Sequence, residues 1–103
     1  MWERYRDYIT ALDAPDLSKF DLRGADLTGA FLPGAKLDHA LLQAANLGNV
    51  QMQGANLYKA QIQGANMYRA QMQGAYLKLA LMQEADMYEA QMQGADMSEA
   101  RMQ

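Results

Sequence analysis

The sequence predicts an all-β solenoid in which the chain bends once every five residues. Three observations support this prediction. From residue 17 to residue 102 every fifth residue, called here the central residue of a unit, is Leu, Ile or Met without exception. Two places before it stands a small or apolar residue, which is Ala throughout from Ala25 to Ala100 except at Val50. Two places after it, seven of the units carry Gly.

A period of five fits neither regular secondary structure. In a helix, five residues advance by about 500°, so the central residues would be scattered around the axis. In a straight strand five is an odd number, so they would alternate between the two faces. If the chain turns by about a right angle in each unit, both apolar residues point inward and four turns close one coil. Coils stacked at the strand spacing of ~4.8 Å would give about four coils.

The residues between the apolar positions fit the corners of such a coil. Gly tolerates the positive φ that a tight corner requires. Pro33 faces outward near one end, where its missing N–H donor is tolerated. Asp26, Asn46, Asn66 and Asp86 recur every twenty residues just before a central residue. We interpret them as side chains that bond to the corner backbone, because calcium needs six to eight oxygens converging on one point.

The first residues of the chain follow a different pattern. Apolar and aromatic side chains recur at helical spacings and end before Pro15, at Trp2, Tyr5, Tyr8, Ile9 and Leu12. This pattern predicts a short amphipathic helix within residues 1–14, which caps the N-terminal end of the solenoid with help from Phe20. The solenoid itself is predicted as one domain over residues 15–103.

Six units share a tripeptide that identifies a family. These are Ala25-Asp26-Leu27, Ala45-Asn46-Leu47, Ala55-Asn56-Leu57, Ala65-Asn66-Met67, Ala85-Asp86-Met87 and Ala95-Asp96-Met97. They resemble the pentapeptide-repeat proteins, whose motif is Ala-(Asp/Asn)-Leu-X-X, over residues 15–103. The resemblance implies a right-handed quadrilateral β-helix. The chain departs from the motif by carrying Met at central positions 52, 67, 72, 82, 87, 92, 97 and 102, and we expect looser packing there because Met is flexible.

Composition excludes several classes of function. The chain has 103 residues, no Cys and a formal charge of −3. Disulfides and thiolate chemistry are absent, and the weak mixed charge predicts neither direct nucleic-acid binding nor membrane binding. No apolar run approaches the length of a membrane span, and the N-terminus lacks the pattern of a signal peptide. We therefore expect a soluble cytoplasmic protein.

The sequence contains few residues of the types that carry out catalysis. Ser and Thr are nearly absent, and His39 is the only histidine, placed on an outer corner where no second His or Cys could complete a zinc site. The glycines punctuate corners and precede no helix, so they form no phosphate loop. The prediction is a protein that is not an enzyme, with no catalytic, cofactor or metal residues.

The outward side chains supply the candidate binding residues. Residues twenty apart should stack, which places Gln43, Gln63, Gln83 and Gln103 on one face and Gln51, Gln71, Gln91, Gln53, Gln73 and Gln93 on the opposite face. We interpret these columns as ladders of stacked amides. The predicted interface combines the Tyr68 and Tyr88 pair, an apolar patch of Tyr76, Leu79 and Leu81, and the end residues Met97 and Met102.

Two functions follow from this surface. The first is a non-catalytic scaffold or protein-interaction module with an unidentified protein partner. The alternative comes only from the resemblance, since some pentapeptide-repeat proteins are dimeric rods that mimic DNA and bind DNA gyrase, a type II topoisomerase. Five acidic residues against Arg101 alone after Lys78 would suit such a mimic, although their spacing imitates the charge of duplex DNA poorly.

The end of the repeat leaves two interpretations open. Either the C-terminal coils of two molecules meet in a homodimer, or the chain is an excerpt from a longer array. A flat repetitive face could also bind ice, but the near absence of Thr argues against that role.

Overall fold

The computed structural model describes residues 14–102. Within this range there is no helix, and each strand is reduced to one bridging residue in every five, at positions 16, 21, 26 and so on to 101. Every bridge is parallel and joins residues twenty apart, as Asp16 pairs with Lys36 and Lys36 with Asn56. One coil therefore takes four five-residue units, which confirms the predicted solenoid and its register.

Backbone hydrogen bonds join each coil to the next. In the unit centred on Leu57, the Leu57 N–H donates to the carbonyl of Tyr76 at 2.7 Å and the Lys59 N–H donates to that of Lys78 at 3.0 Å. The Tyr76 N–H donates back to the Ala55 carbonyl at 2.9 Å, and the Ala60 N–H closes the turn onto the Leu57 carbonyl at 2.9 Å. Because this pattern repeats along the chain, the backbone satisfies its polar groups without long strands.

Each corner places one residue in the left-handed region. The seven predicted corner glycines have φ between 69° and 74°, which confirms their role. Eleven other described residues share the conformation, among them Ala44 at 60° and Leu79 at 61°. A positive φ at the third residue, together with the bond across the turn, is the geometry of a type II turn. The corner therefore requires this conformation even where the sequence does not supply Gly.

The core is a column of central residues filled in by the alanines. From Leu17 to Met82 the central residues are at most 2% exposed. Met52, Met67 and Met72 are buried as completely as their Leu neighbours. Each buried side chain of this size contributes about 1.5–3 kcal/mol relative to its exposed state. Met87, Met92 and Met97 are only partly buried, and Met102 is 47% exposed.

Side-chain bonds at the corners are more general than the sequence predicted. Asn66 Oδ1 accepts from the Tyr68 N–H at 2.9 Å, and the rest of its column, Asp26, Asn46 and Asp86, does the same two residues on. This confirms the corner role of that column. The same bond forms at Asp16, Asp21, Asn56 and Asp96, so every Asp or Asn before a central residue makes it. The polar residue of the motif therefore fixes the turn.

Two predictions concern the N-terminal end. The predicted capping helix lies outside the described residues, apart from Ala14. Phe20 stands two places before a central residue, where burial was expected, yet it is 42% exposed.

The right-handed sense of the coil stays a prediction. Nothing in the described range 14–102 is a helix long and apolar enough to cross a bilayer.

Candidate functional site

Four faces follow from the register, and three of them matter for binding. The Lys face comprises residues 15–19, 35–39, 55–59, 75–79 and 95–99, and contains all four lysines of the chain. The Asx face opposite to it comprises residues 25–29, 45–49, 65–69 and 85–89. The amide face, residues 30–34, 50–54, 70–74 and 90–94, lies between the two and carries no charged residue at all.

Glutamines on neighbouring coils bond diagonally. Gln53 Nε2 donates to Gln71 Oε1 at 2.9 Å, and Gln73 Nε2 donates to Gln91 Oε1 at 3.4 Å. On the face opposite the amide face, Gln43 Nε2 donates to Gln61 Oε1 at 2.8 Å. The partners are eighteen residues apart, so the bonds join two columns. The predicted bonding of glutamines from coil to coil is confirmed, and each bond crosses between two columns because the side chains lean along the strand direction.

The donor glutamines leave one atom unsatisfied. The amide oxygens of the donors Gln43, Gln53 and Gln73 are buried without a hydrogen-bond partner in the described residues. The amide oxygens of Gln63 and Gln83 are buried and unpartnered in the same way. Gln71 and Gln91 have the opposite arrangement, since their oxygens accept and their NH₂ groups find no protein acceptor in residues 14–102. The amide face thus presents free donors held in place by an accepted bond.

A groove of about 580 Å³ runs along the corner between the Asx face and the amide face. One wall is the stacked column of Asn49, Arg69 and Glu89. The other is formed by Gln71 and Gln91, and the lining is completed by Ala90 and Gln93. Both walls consist of residues twenty apart, so the groove is straight and parallel to the solenoid axis.

One wall of the groove contains an ion pair. Arg69 Nε donates to Glu89 Oε1 at 2.7 Å, and both side chains stay about half exposed. The guanidinium carbon lies 5.2 Å from the centre of the Tyr68 ring, and the Tyr68 and Tyr88 rings meet edge to face at 5.7 Å. The bond to Glu89, ahead of the electrostatic contribution of Tyr68, raises the pKa of Arg69. These four side chains hold one another in place beside the groove.

The Lys face carries a second aromatic cluster. His39 meets Tyr58 edge to face at 5.7 Å, and the Tyr58 and Tyr76 rings are nearly parallel at 6.0 Å with an interplanar angle of 16°. The Lys59 ammonium lies 5.5 Å from the centre of the Tyr58 ring. The register places Tyr58 in one column with Lys78 and Ser98, whereas its stacking partner Tyr76 lies in the neighbouring column, so the rings also pair diagonally.

The predicted interface residues occupy separate surfaces. Tyr68 and Tyr88 lie on the Asx face, whereas Tyr76 and Leu79 lie on the Lys face opposite to it. Leu81 follows Leu79 around the corner, and both are half-buried. Met97 and Met102 belong to the last coil. The structure therefore resolves the predicted set into two aromatic clusters and one end, and it adds the groove residues Asn49, Arg69, Gln71, Glu89 and Gln91.

Electrostatic and metal-binding features are modest. The hydrogen bonds from Arg23 lower the pKa of Asp21 to about 2, and those from Ser18 and Ser98 lower the pKa of Asp16 and Asp96. In the described part of the chain, no three His, Asp or Glu side chains come together as a metal site.

These features define a β-helix built of five-residue units. A family model of pentapeptide repeats matches residues 10–43, 35–74 and 65–103, with 8 copies of the repeat. The chain belongs to the pentapeptide-repeat family, as its motif predicted. The match indicates no enzymatic family.

Solved pentapeptide-repeat structures are similar in fold. Rfr23 from the cyanobacterium Cyanothece 51142 is 26% identical with a TM-score of 0.49, over 85% of this chain and 64% of that one. The protein alr5209 from Nostoc Pcc 7120 is 22% identical with a TM-score of 0.49, over 98% and 94%. QnrB1, a plasmid-mediated fluoroquinolone resistance protein, is 16% identical with a TM-score of 0.44, over 84% and 65%. A comparison with curated proteins finds no match.

Proposed function

We propose that this chain is a non-catalytic protein-binding module that engages its partner through the aromatic cluster of the Lys face. The observation that supports this most is the stack of Tyr58 on Tyr76, with His39 against its other end. Tyrosines already held by their neighbours lose little rotamer freedom on binding, which is why aromatic anchors dominate protein interfaces. Tyr76 remains 38% exposed and is available for contact.

The surroundings of this cluster suit a protein interface. Leu79 lies at the corner of the same face, and Leu81 continues the apolar surface on the next, where Leu41 lies two coils away in the same column. The Lys59 ammonium lies 5.5 Å from the centre of the Tyr58 ring, and the Lys face as a whole carries four lysines and four carboxylates. An apolar centre with a charged rim is the usual anatomy of an interface. The partner expected here therefore offers an apolar pocket bordered by charged side chains of both signs.

The DNA-mimic alternative has no comparable support from a particular observation. Its requirement is continuous negative charge, and the column of the Asx face places neutral Asn46 and Asn66 between Asp26 and Asp86. Homodimerisation through Met97 and Met102 stays a prediction, as does the cytoplasmic location.

A site-specific crosslinking experiment tests the module. A photo-crosslinking amino acid at position 76 should capture one protein in cells that express the chain natively. The same residue at position 66, the equivalent place on the opposite Asx face, is the matched control and should capture none. Equal capture at both positions would contradict the proposal.

A substitution then tests the interface with the purified partner. Leu79→Lys should weaken binding about tenfold or more, because it places a charge in the apolar centre. The fold should tolerate this change, since Lys59 in the same column already adopts a φ of 55° beside the 61° of Leu79. Unchanged affinity with a folded variant would place the interface elsewhere.

A further inference from the structure

The groove along the corner of the amide face is a second surface, independent of the aromatic cluster on the Lys face. We propose that it binds an extended, neutral, β-linked oligosaccharide chain. The first step of the argument is charge. The amide face has no ionised residue, and the one cation that lines the groove, Arg69, is paired with Glu89 at 2.7 Å. A groove without net charge favours neither an anionic nor a cationic ligand.

The second step is the hydrogen-bonding capacity of the walls. An amide both donates and accepts, as a sugar hydroxyl does. Gln71 and Gln91 have their oxygens engaged by Gln53 and Gln73, which leaves their NH₂ donors oriented and free of protein partners in the described residues. Arg69 uses only Nε toward Glu89, so its terminal nitrogens can donate to a pair of neighbouring hydroxyls while the second Glu89 oxygen accepts.

The third step distinguishes a sugar from a protein partner. Ala90 is the only apolar residue that lines the groove, whereas a protein interface needs an apolar centre. Two aromatic rings nevertheless lie next to the groove. The Arg69 guanidinium is 5.2 Å from the centre of the Tyr68 ring, and the Tyr88 ring, 57% exposed, contacts the Tyr68 ring. The exposed ring supplies an apolar surface for the C–H face of a sugar next to the polar groove.

The shape of the groove selects the kind of chain. Its walls are columns of residues twenty apart, so equivalent groups repeat in a straight line at the coil spacing of ~4.8 Å. A β-1,4-linked glucan is an extended ribbon that can follow such a line, whereas an α-1,4-linked glucan curls away from it. The groove is open, so the affinity expected is weak, with a Kd of about 0.1–1 mM.

Titration of the ¹⁵N-labelled chain with cellohexaose tests the proposal. The backbone amide signals of Asn49, Arg69, Gln71 and Gln91 and the side-chain amide signals of the Asn and the two Gln should shift together and saturate. Maltohexaose at the same concentrations should leave them in place. No shift with cellohexaose, shifts spread over all four faces, or equal shifts with maltohexaose would overturn the proposal.

A matched pair of variants separates binding from folding. Gln71→Ala should weaken cellohexaose binding at least fivefold. Gln61→Ala is the control, because Gln61 has the same place in its unit and accepts the same kind of bond, from Gln43 at 2.8 Å, on the opposite face. It should lose similar stability and retain binding within twofold. Equal loss of binding in the two variants would show that the amides act through the fold alone.

Discussion

Gln53 on one coil donates its amide N–H to the oxygen of Gln71 on the next, at 2.9 Å. The two residues are eighteen apart, two fewer than the repeat of the coil, so the bond crosses from one column of glutamines to the other. The bond holds the acceptor in place but leaves the donor's own oxygen buried and without a partner in residues 14–102. The bonds between glutamines thus orient the acceptor amides, but each donor keeps a buried oxygen without a hydrogen bond in the described residues, which lowers stability.

Gln63 shows that cost most clearly. The residue eighteen places after it is Leu81, which cannot accept a hydrogen bond, and the Gln63 oxygen is buried without a partner in the described chain. Gln63→Met, which has a similar shape, should raise the free energy of unfolding by about 0.5–1 kcal/mol. Gln53→Met also removes the hydrogen bond from Gln53 to Gln71, so its change in the free energy of unfolding should be about 1 kcal/mol less favourable than that of Gln63→Met. Urea denaturation measures both, and a less stable Gln63→Met variant would contradict the account.

The corner bond of Asn56 gives a second prediction. Its Oδ1 accepts from the Tyr58 N–H at 3.0 Å, and Asn56→Ala removes that acceptor. The free energy of unfolding should fall by about 1 kcal/mol, the usual net value of one such bond. Asn56→Asp is the control, because Asp makes the same bond in five other units. If the two variants lost equal stability at pH 7, the corner bond would not be the cause.

Most of the backbone could be predicted from the sequence, whereas most of the candidate site could not. The five-residue period determines which side chains point inward, because only a bend in every unit brings the successive central residues Leu57 and Ile62 to the same side. The register places Tyr58 and Tyr76 on one face, but it says nothing of the direction in which their rings lean. Whether rings eighteen residues apart pair depends on the direction of each side chain and therefore on its rotamer, which the repeat pattern of the sequence does not specify. The groove escaped prediction for the same reason, since its ion pair and oriented amides arise from side-chain directions.

The left-handed corners give a third prediction. Gly54 has a φ of 70°, and a Cβ there would meet no atom within 4 Å, so only backbone strain limits a substitution. Gly54→Asn should cost about 0.5 kcal/mol or less, because Asn adopts this conformation readily, as Asn49 does at 57°. Gly54→Val should cost about 2 kcal/mol, since a β-branched residue is strained at positive φ. No β-branched residue occupies a corner between residues 14 and 102. Equal melting temperatures for the two variants would mean that the corner can relax.

The pH dependence of stability gives the fourth prediction. Hydrogen bonds from Arg23 hold the pKa of Asp21 at about 2, below its ordinary value of 3.8, and bonds from Ser18 and Ser98 lower the pKa of Asp16 and Asp96. A carboxyl group whose pKa is lower in the folded state stabilises the fold above its unfolded pKa. That contribution is lost as the pH falls through the folded value. Protonation of these three carboxylates should therefore destabilise the protein progressively as the pH falls from about 4 to 2.

A combined variant isolates this effect. Replacement of Asp16, Asp21 and Asp96 by Asn keeps an oxygen that accepts the corner bond, as Asn46 and Asn66 do, but removes the titrating groups. The melting temperature of the variant should fall less between pH 5 and pH 2 than that of the parent chain. Glu84→Gln is the control, because it removes a carboxylate that accepts no side-chain bond in the described residues. An acid-induced drop of the same size in all three proteins would show that the corner carboxylates do not control stability at low pH.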